Sequence, residues 1–278
     1  CKEGCPIHQD ITTYLQLVGE GKYEEAMDVI TEKNPLPFIT GTICAHACMG
    51  KCTRNFYEDP VHIREMKKVA ADNGYDALIA KLSAPAVTKE GKAAVVGGGP
   101  AGMAAAYFLR RAGMAVTLFE KKSALGGVVR HVIPEFRIPG TSIDKDAALL
   151  EKIGVEIRTN TEITSVETLK GEGYTNVVLA VGAYKPGNVR LEAGEAVNAL
   201  KFLEEFKAKD GNLDLGKVVA VIGGGNTAMD TARAAKRTKG VEKVSLVYRR
   251  TKRYMPADEE ELVMAVEDGV EFMELLAP

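Results

Sequence analysis

Two glycine-rich turns, each wedged between an apolar strand and a helix, limit what this 278-residue chain can fold into. The run Ala93-Ala94-Val95-Val96 leads into Gly97-Gly98-Gly99-Pro100-Ala101-Gly102. Helix-forming residues Met103 to Arg111 follow, then a second apolar run, Ala115 to Phe119. The same order recurs. Val218 to Ile222 leads into Gly223-Gly224-Gly225-Asn226-Thr227-Ala228, a helical stretch from Thr227 to Lys236 and the strand Val244 to Tyr248. Short Val/Ile/Ala runs without alternation suit strands buried on both faces, and a strand–helix–strand unit demands a parallel pair. The first glycine makes the tight turn, the second lets backbone approach a pyrophosphate, and the third lets helix pack on strand. The helix N-terminus adds N–H donors. The expected class is α/β, with two Rossmann-like nucleotide-binding domains in tandem.

The two units differ in charge where their second strand ends. Glu120 stands where an acid accepts hydrogen bonds from a ribose hydroxyl pair. The second unit has Tyr248-Arg249-Arg250 there, with Arg253 just beyond. Arginine cannot accept from ribose but pairs with a 2′-phosphate; the alternative is a merely solvated basic turn. The first site is thus expected to take a nucleotide with a free ribose, and the second NADPH. Two such sites suggest hydride relay from a nicotinamide to a bound flavin, which needs stacked rings more than a protein acid or base. No catalytic side chain is therefore expected, and His8, His46, His62 and His131 are expected to be structural or surface residues. No cysteine follows Cys52, so the redox dithiol of a disulfide reductase is lacking.

All five cysteines lie in the first fifth of the chain. Cys1-x3-Cys5-Pro6 matches the tail of the ferredoxin run C-x2-C-x2-C-x3-C-P, and Cys44-x3-Cys48-x3-Cys52 adds three thiols. Soft thiolates without neighbouring ligand histidines favour iron–sulfur; His46 keeps zinc open, and unligated thiols are the third reading. The surrounding residues read as helical. Asp10 caps a helix over Ile11 to Val18, and a second helix covers Tyr23 to Ile30 until Asn34-Pro35-Leu36-Pro37 breaks it. Val61 to Ile79 forms a third, interrupted near Asn73-Gly74. Between the glycine units come a helix at Ile143 to Ile153, strands at Val155 to Arg158 and Asn176 to Gly182, and a turn-rich linker from Tyr184 to Asn188. An acidic helix, Asp258 to Glu267, leads to Val270 to Met273. The expected organisation is a helical, cysteine-bearing domain over 1–88 and two nucleotide-binding domains over 89–213 and 214–278, neither of them complete.

With 36 Lys and Arg against 38 Asp and Glu, no basic excess points to nucleic acid. A chain 46% hydrophobic and 27% charged is ordinary for a globular protein, which disfavours disorder. Its apolar runs fall short of the about 20 residues that span a bilayer, and no charged-then-apolar leader opens it, so a cytoplasmic location is expected. A start at Cys1 and an odd cysteine count predict a piece of a longer protein with further ligands upstream.

Taken together the motifs resemble the glutamate synthase small subunit and the flavin and iron–sulfur part of dihydropyrimidine dehydrogenase. They resemble equally the subunits of selenate reductase type and the NADPH-handling subunits of bifurcating ferredoxin oxidoreductases. The stretches that carry the resemblance are Cys5-Pro6-Ile7, Thr40 through Cys52, Glu58-Asp59-Pro60-Val61, Val96 to Gly102, Gly126-Gly127 and Ile133 to Pro139. Leu179 to Gly182, Gly223 to Asp230 and Met255-Pro256-Ala257 complete them. The resemblance implies a helical iron–sulfur domain over 1–88, an FAD domain over 89–213 and an inserted NAD(P)H domain over 214–278, with two [4Fe-4S] clusters: one on Cys5, Cys44 and Cys48, the other on Cys1 and Cys52 with two upstream cysteines. It implies a Glu or Gln ligand at a position held here by Lys67. FAD contacts would be Gly97, Gly98, Gly99, Pro100, Ala101, Gly102, Glu120, Leu125, Gly126, Gly127, Arg137, Ile163 and Gly182. NADPH contacts would be Gly223, Gly224, Gly225, Asn226, Thr227, Arg249, Arg250 and Arg253. A Gly-Asp segment that holds the flavin in the family does not occur before Pro278. The implied activity is electron transfer from NADPH through FAD and the clusters to a catalytic partner subunit or fused domain. The rival is a non-enzymatic zinc- or cluster-bearing scaffold with degenerate nucleotide folds.

Overall fold

A computed structural model describes residues 1–185, 191 and 193–277. The last residues of the expected linker, Pro186 to Asn188, lie outside the described residues. The chain divides into two compact units, one made of Cys1–Arg130 and Ile138–Gly182, the other of His131–Arg137 and Ala183–Pro278.

The first unit opens with four helices, α1 (Ile11–Gly19), α2 (Tyr23–Lys33), α3 (Pro37–Ile43) and α4 (Ile63–Lys81). Asp10 stands at the N-cap of α1, where its carboxylate accepts from the hydroxyls of Thr12 and Thr13. The Pro-rich stretch ends α2, as expected, but its second proline also begins α3, because Pro at the first helical position has no N–H to lose. The interruption expected at Asn73-Gly74 does not occur: α4 runs unbroken from Ile63 to Lys81. Gly74 serves proximity instead. A Cβ there would lie 2.4 Å from the Tyr23 carbonyl oxygen, so the glycine lets α4 approach the start of α2. Ile11, Tyr14, Met27, Ile30, Phe38, Ala70, Ala71 and Leu78 fill the space between these helices.

The rest of the unit is a nucleotide fold: β1 (Lys92–Val96), α5 (Pro100–Arg111), β2 (Ala115–Phe119), α6 (Val128–His131), α7 (Gly140–Lys152), β3 (Glu156–Arg158), α8 (Val166–Gly171) and β4 (Asn176–Leu179). The strands are parallel in the order β3-β2-β1-β4, with Val95 opposite Leu118 and Val178. Ala93, Ala94, Val95 and Leu118 are fully buried, as strands covered on both faces require. The helices and this fold share a core, since Leu149 of α7 packs among the side chains of α1 to α4.

The second unit repeats the plan with α9 (Ala199–Ala208), β5 (Val218–Ile222), α10 (Asn226–Arg237), β6 (Lys243–Tyr248), α11 (Glu259–Glu267) and β7 (Glu271–Glu274). Its parallel sheet runs β5-β6-β7. The architecture is α/β, with a helical N-terminal region and two Rossmann-like folds. No helix among the described residues is long and apolar enough to cross a membrane.

Candidate functional site

The first glycine turn is built by close approach. Gly97 has φ +106°, and a Cβ on it would lie 2.3 Å from the Ala180 carbonyl oxygen just after β4. A Cβ on Gly102 would lie 1.8 Å from the Gly97 carbonyl oxygen, so only glycine lets α5 seat against the turn. The Gly98 N–H donates to Glu120 Oε2 at 2.7 Å, and the Lys122 N–H donates to Oε1 at 2.8 Å. The Gly126 N–H donates to the Gly98 carbonyl at 2.7 Å, and a Cβ on Gly127 would lie 2.9 Å from Gly99 Cα. Leu125 lies against Gly98. Gly99 caps α5 without a side chain on its first N–H groups, Pro100 follows as the first helical residue, and Ala101 is exposed. The structure thus gathers Gly97 to Gly102, Glu120, Leu125, Gly126 and Gly127 at one end of the parallel strands. Uncapped N–H groups beside side-chain-free backbone form a cradle that fits a dinucleotide pyrophosphate.

The other three expected contacts, Ile163, Gly182 and Arg137, have surroundings of their own. Ile163 packs on the cluster of Val96, Phe119 and Tyr174. Gly182, with φ +77° and open space around it, follows Ala180 past the end of β4. Arg137 belongs to the second unit, where its Nε lies 2.9 Å from Asp230 Oδ1 and its Nη1 pairs with Glu261. Burial pushes the Asp230 carboxyl up to about 6; Arg137 opposes the shift and Glu261 adds to it.

The second turn follows the same rules. Gly223 has φ +144°, and its N–H donates to the Val247 carbonyl at 3.0 Å. A Cβ on Gly224 would lie 2.5 Å from the Tyr248 ring, so this glycine admits the side chain that ends β6. Gly225 caps α10 with no side-chain hydrogen bond, and Thr227 is exposed in its first turn. Asn226 and Asp258 are latched to each other, Asn226 Oδ1 accepting the Asp258 N–H at 3.0 Å and its Nδ2 donating to the carboxylate at 3.2 Å. Arg249, Arg250 and Arg253 are exposed, and among the described residues none is in an ion pair. Exposed guanidinium groups stand beyond this cradle, Arg253 lying over the Tyr254 ring at 6.0 Å from its centroid.

The cysteines form two neighbourhoods. Burial pushes the Cys48 thiol up; Cys44 and Cys5 add to the shift, and Lys67 opposes it, so these groups lie within electrostatic reach of one another. A Cβ on Gly4 would lie 3.2 Å from Cys48 Cα, which places the Cys5 turn against Cys48. Tyr14, fully buried, is held by burial and by the same three sulfurs above the ordinary phenol range, and its hydroxyl donates to the Ile63 carbonyl at 3.1 Å. Cys52 makes the second neighbourhood, where N–H groups of Val61 and Arg54 on its sulfur hold the thiol down; Cys1, like Cys5, packs against the helical core. No three Cys, His, Asp or Glu groups among the described residues close on a point the size of one ion. A four-iron cube spreads its thiolates wider than a single ion does, and three soft sulfurs, Cys48 buried and Cys5 and Cys44 half-buried, fit such a cluster. Tyr14 carries no sequence motif, and nothing in the pattern of residues marked it.

Residues 91–273 match the family described as pyridine nucleotide-disulphide oxidoreductase. The chain belongs to this family. Residues 1–78 match dihydropyrimidine dehydrogenase domain II, 4Fe-4S cluster. This oxidoreductase chain therefore pairs a flavin- and pyridine-nucleotide-dependent module with a [4Fe-4S] domain, and it is the cluster reading, not zinc, that the family carries. It is 46% identical over 284 residues to a protein of Escherichia coli (strain K12) named only as an oxidoreductase, YgfK, covering all of this chain and 27% of that one. It is 36% identical to the NADPH-Fe(3+) oxidoreductase subunit beta of Geobacter sulfurreducens, over 98% of this chain and 42% of the relative. It is 30% identical to the NAD-dependent dihydropyrimidine dehydrogenase subunit PreT of Escherichia coli, over all of this chain and 68% of that subunit. The chain thus spans between about a quarter and two thirds of these relatives. Among solved structures, an amine oxidase of Pseudomonas geniculata N1 shares the fold with TM-score 0.55 and 19% identity, over 95% of this chain and 38% of that one.

Proposed function

We propose that this chain is an NADPH-dependent electron-transfer module, with FAD in the first nucleotide fold, NADPH in the second and [4Fe-4S] clusters on the cysteines. The electrons go to a catalytic partner subunit or fused domain. The observation that supports the order of nucleotides is the contrast at the ends of β2 and β6. Glu120 turns a carboxylate toward the first cradle, and Arg249 and Arg250 leave two unpaired cations beside the second. Flavin, when bound, supplies the conversion of a two-electron hydride into single electrons that clusters accept. The protein's own part is positional. Gly97 to Gly102 and Gly126-Gly127 hold one pyrophosphate by backbone, Gly223 to Thr227 hold the other, and the Arg pair selects the 2′-phosphate. Cys5, Cys44 and Cys48 would hold one cluster, and Cys1 and Cys52 would contribute to another. A cytoplasmic location belongs to the same reading.

The test is cofactor discrimination in the full-length protein. Replacing Arg249 and Arg250 together by Ala is expected to weaken NADPH about 10- to 100-fold, as loss of charge-assisted phosphate contacts does, and to leave NADH within a few-fold. Equal losses for both nucleotides would defeat the assignment.

A further inference from the structure

Lys67 lies one turn beyond Ile63 on α4, and both are buried, 8% and 2% exposed. Its ammonium donates at 3.5 Å to the Thr40 carbonyl. That carbonyl belongs to the last turn of α3, whose cap residue is Cys44 and adds no backbone bond to close the turn. The ammonium therefore sits at the helix end that delivers Cys44. Of the carboxylates that flank it in sequence, Glu65 pairs with Arg64 at 2.8 Å through Oε1 and leaves Oε2 buried without a hydrogen bond, and Asp72 pairs with Lys68 at 2.5 Å. Among the described residues no carboxylate pairs with Lys67. A cation withdrawn from water with one long hydrogen bond and no counter-ion is strongly unfavourable. The Thr40 carbonyl it meets lies four residues before Cys44, and Cys48 is buried in the same core as Ile63 and Tyr14, with the Cys5 turn packed against it. Three thiols become three anions when iron binds them, and an ammonium nitrogen, with no lone pair, cannot itself be a ligand.

We propose that Lys67 is the fixed counter-charge of the iron–sulfur cluster held by Cys5, Cys44 and Cys48, and not a ligand to it. The inference rests on the cluster reading above. It explains why a buried lysine stands where an anion has to come, and it has two consequences of opposite sign. In the metal-free protein the buried charge is uncompensated and destabilises the fold. In the loaded protein it favours the more negative, reduced cluster and so raises its potential.

The experiment compares wild type, Lys67→Met and Lys67→Arg in the full-length protein, purified without oxygen. The cluster in question is the one whose EPR signal is lost in Cys48→Ser. Its midpoint potential is expected to fall in Lys67→Met and to stay near wild type in Lys67→Arg. With iron removed, Lys67→Met is expected to melt above the wild type. An unchanged potential in Lys67→Met would overturn the proposal. So would a nitrogen hyperfine coupling in the wild-type cluster that vanishes in Lys67→Met, since that marks a ligand. If Lys67→Met fails to load iron, Lys67→Arg decides: loading by the arginine variant supports a counter-charge, and failure of both overturns it. Wild-type protein without iron and sulfide would overturn the cluster reading itself, and this proposal with it.

Discussion

Glu120 shows how one side chain can shape a cradle and remain available to a ligand. Its two oxygens each accept a backbone N–H, from Gly98 and Lys122, which fixes the glycine turn from below. A carboxylate has further lone pairs, so ribose hydroxyls have acceptors left. Glu120→Ala strands the buried Gly98 N–H and removes the acceptor of the part-buried Lys122 N–H. It is expected to lower unfolding free energy by roughly 2–4 kcal/mol and to release flavin during purification. Chemical denaturation and bound flavin per chain check both. The glycines around Glu120 were legible in the sequence because each has a stated task, a turn or a close approach. Tyr14, by contrast, reads as one more apolar position on a helical face. Only the fold brings it into one core with Cys48, which lies far from it in the chain.

At the scale of elements, two contests decide structure. The first is at Gly74, where helix propensity and tertiary approach disagree. Propensity alone expects Gly74→Ala to stabilise α4 by about 1 kcal/mol. The added Cβ would meet the Tyr23 carbonyl at 2.4 Å, and overpacking of this kind costs about 1–3 kcal/mol, so a net loss of stability is expected in a thermal melt. This is why the sequence alone suggested a break: glycine reads as an interruption unless the neighbouring helix is known. The second contest is at Asp146 of α7, whose carboxylate accepts the Phe38 N–H at 3.1 Å and the Ile39 N–H at 2.8 Å, tying α7 to the start of α3. Burial pushes this carboxyl up to about 8, against the pull of the two N–H groups. The folded chain therefore holds a proton that the unfolded chain has released above about pH 4. Stability contributed by this proton is complete below that pH and is lost as pH rises toward 8. Asp146→Asn keeps an acceptor and has nothing to titrate, so the difference in stability between pH 5 and pH 8 is expected to shrink in the variant. An identical slope in both proteins, measured by urea unfolding, would remove Asp146 from the account.

At the scale of the whole molecule, the two sheets were the most legible part. Buried runs such as Val95-Val96 and Val244 to Tyr248, each bounded by glycine, leave few alternatives to parallel strands. Short elements such as α3 and α8 were not legible. Their residues have no periodic stripe, and packing against α4, α7 or the sheet decides their conformation. The site was legible wherever backbone approach dictates glycine, and opaque where distant side chains pair, as Arg137 does with Asp230 and Glu261. The central claim is that one chain joins an NADPH site, a flavin site and thiolate-held clusters. Anaerobic titration of the full-length protein with NADPH tests it most directly, with flavin absorbance and cluster EPR followed together. The account predicts a yellow-brown protein whose flavin bleaches while a reduced-cluster signal grows, with NADH far less effective at equal concentration. A colourless protein, or flavin bleaching with no cluster signal, would contradict it.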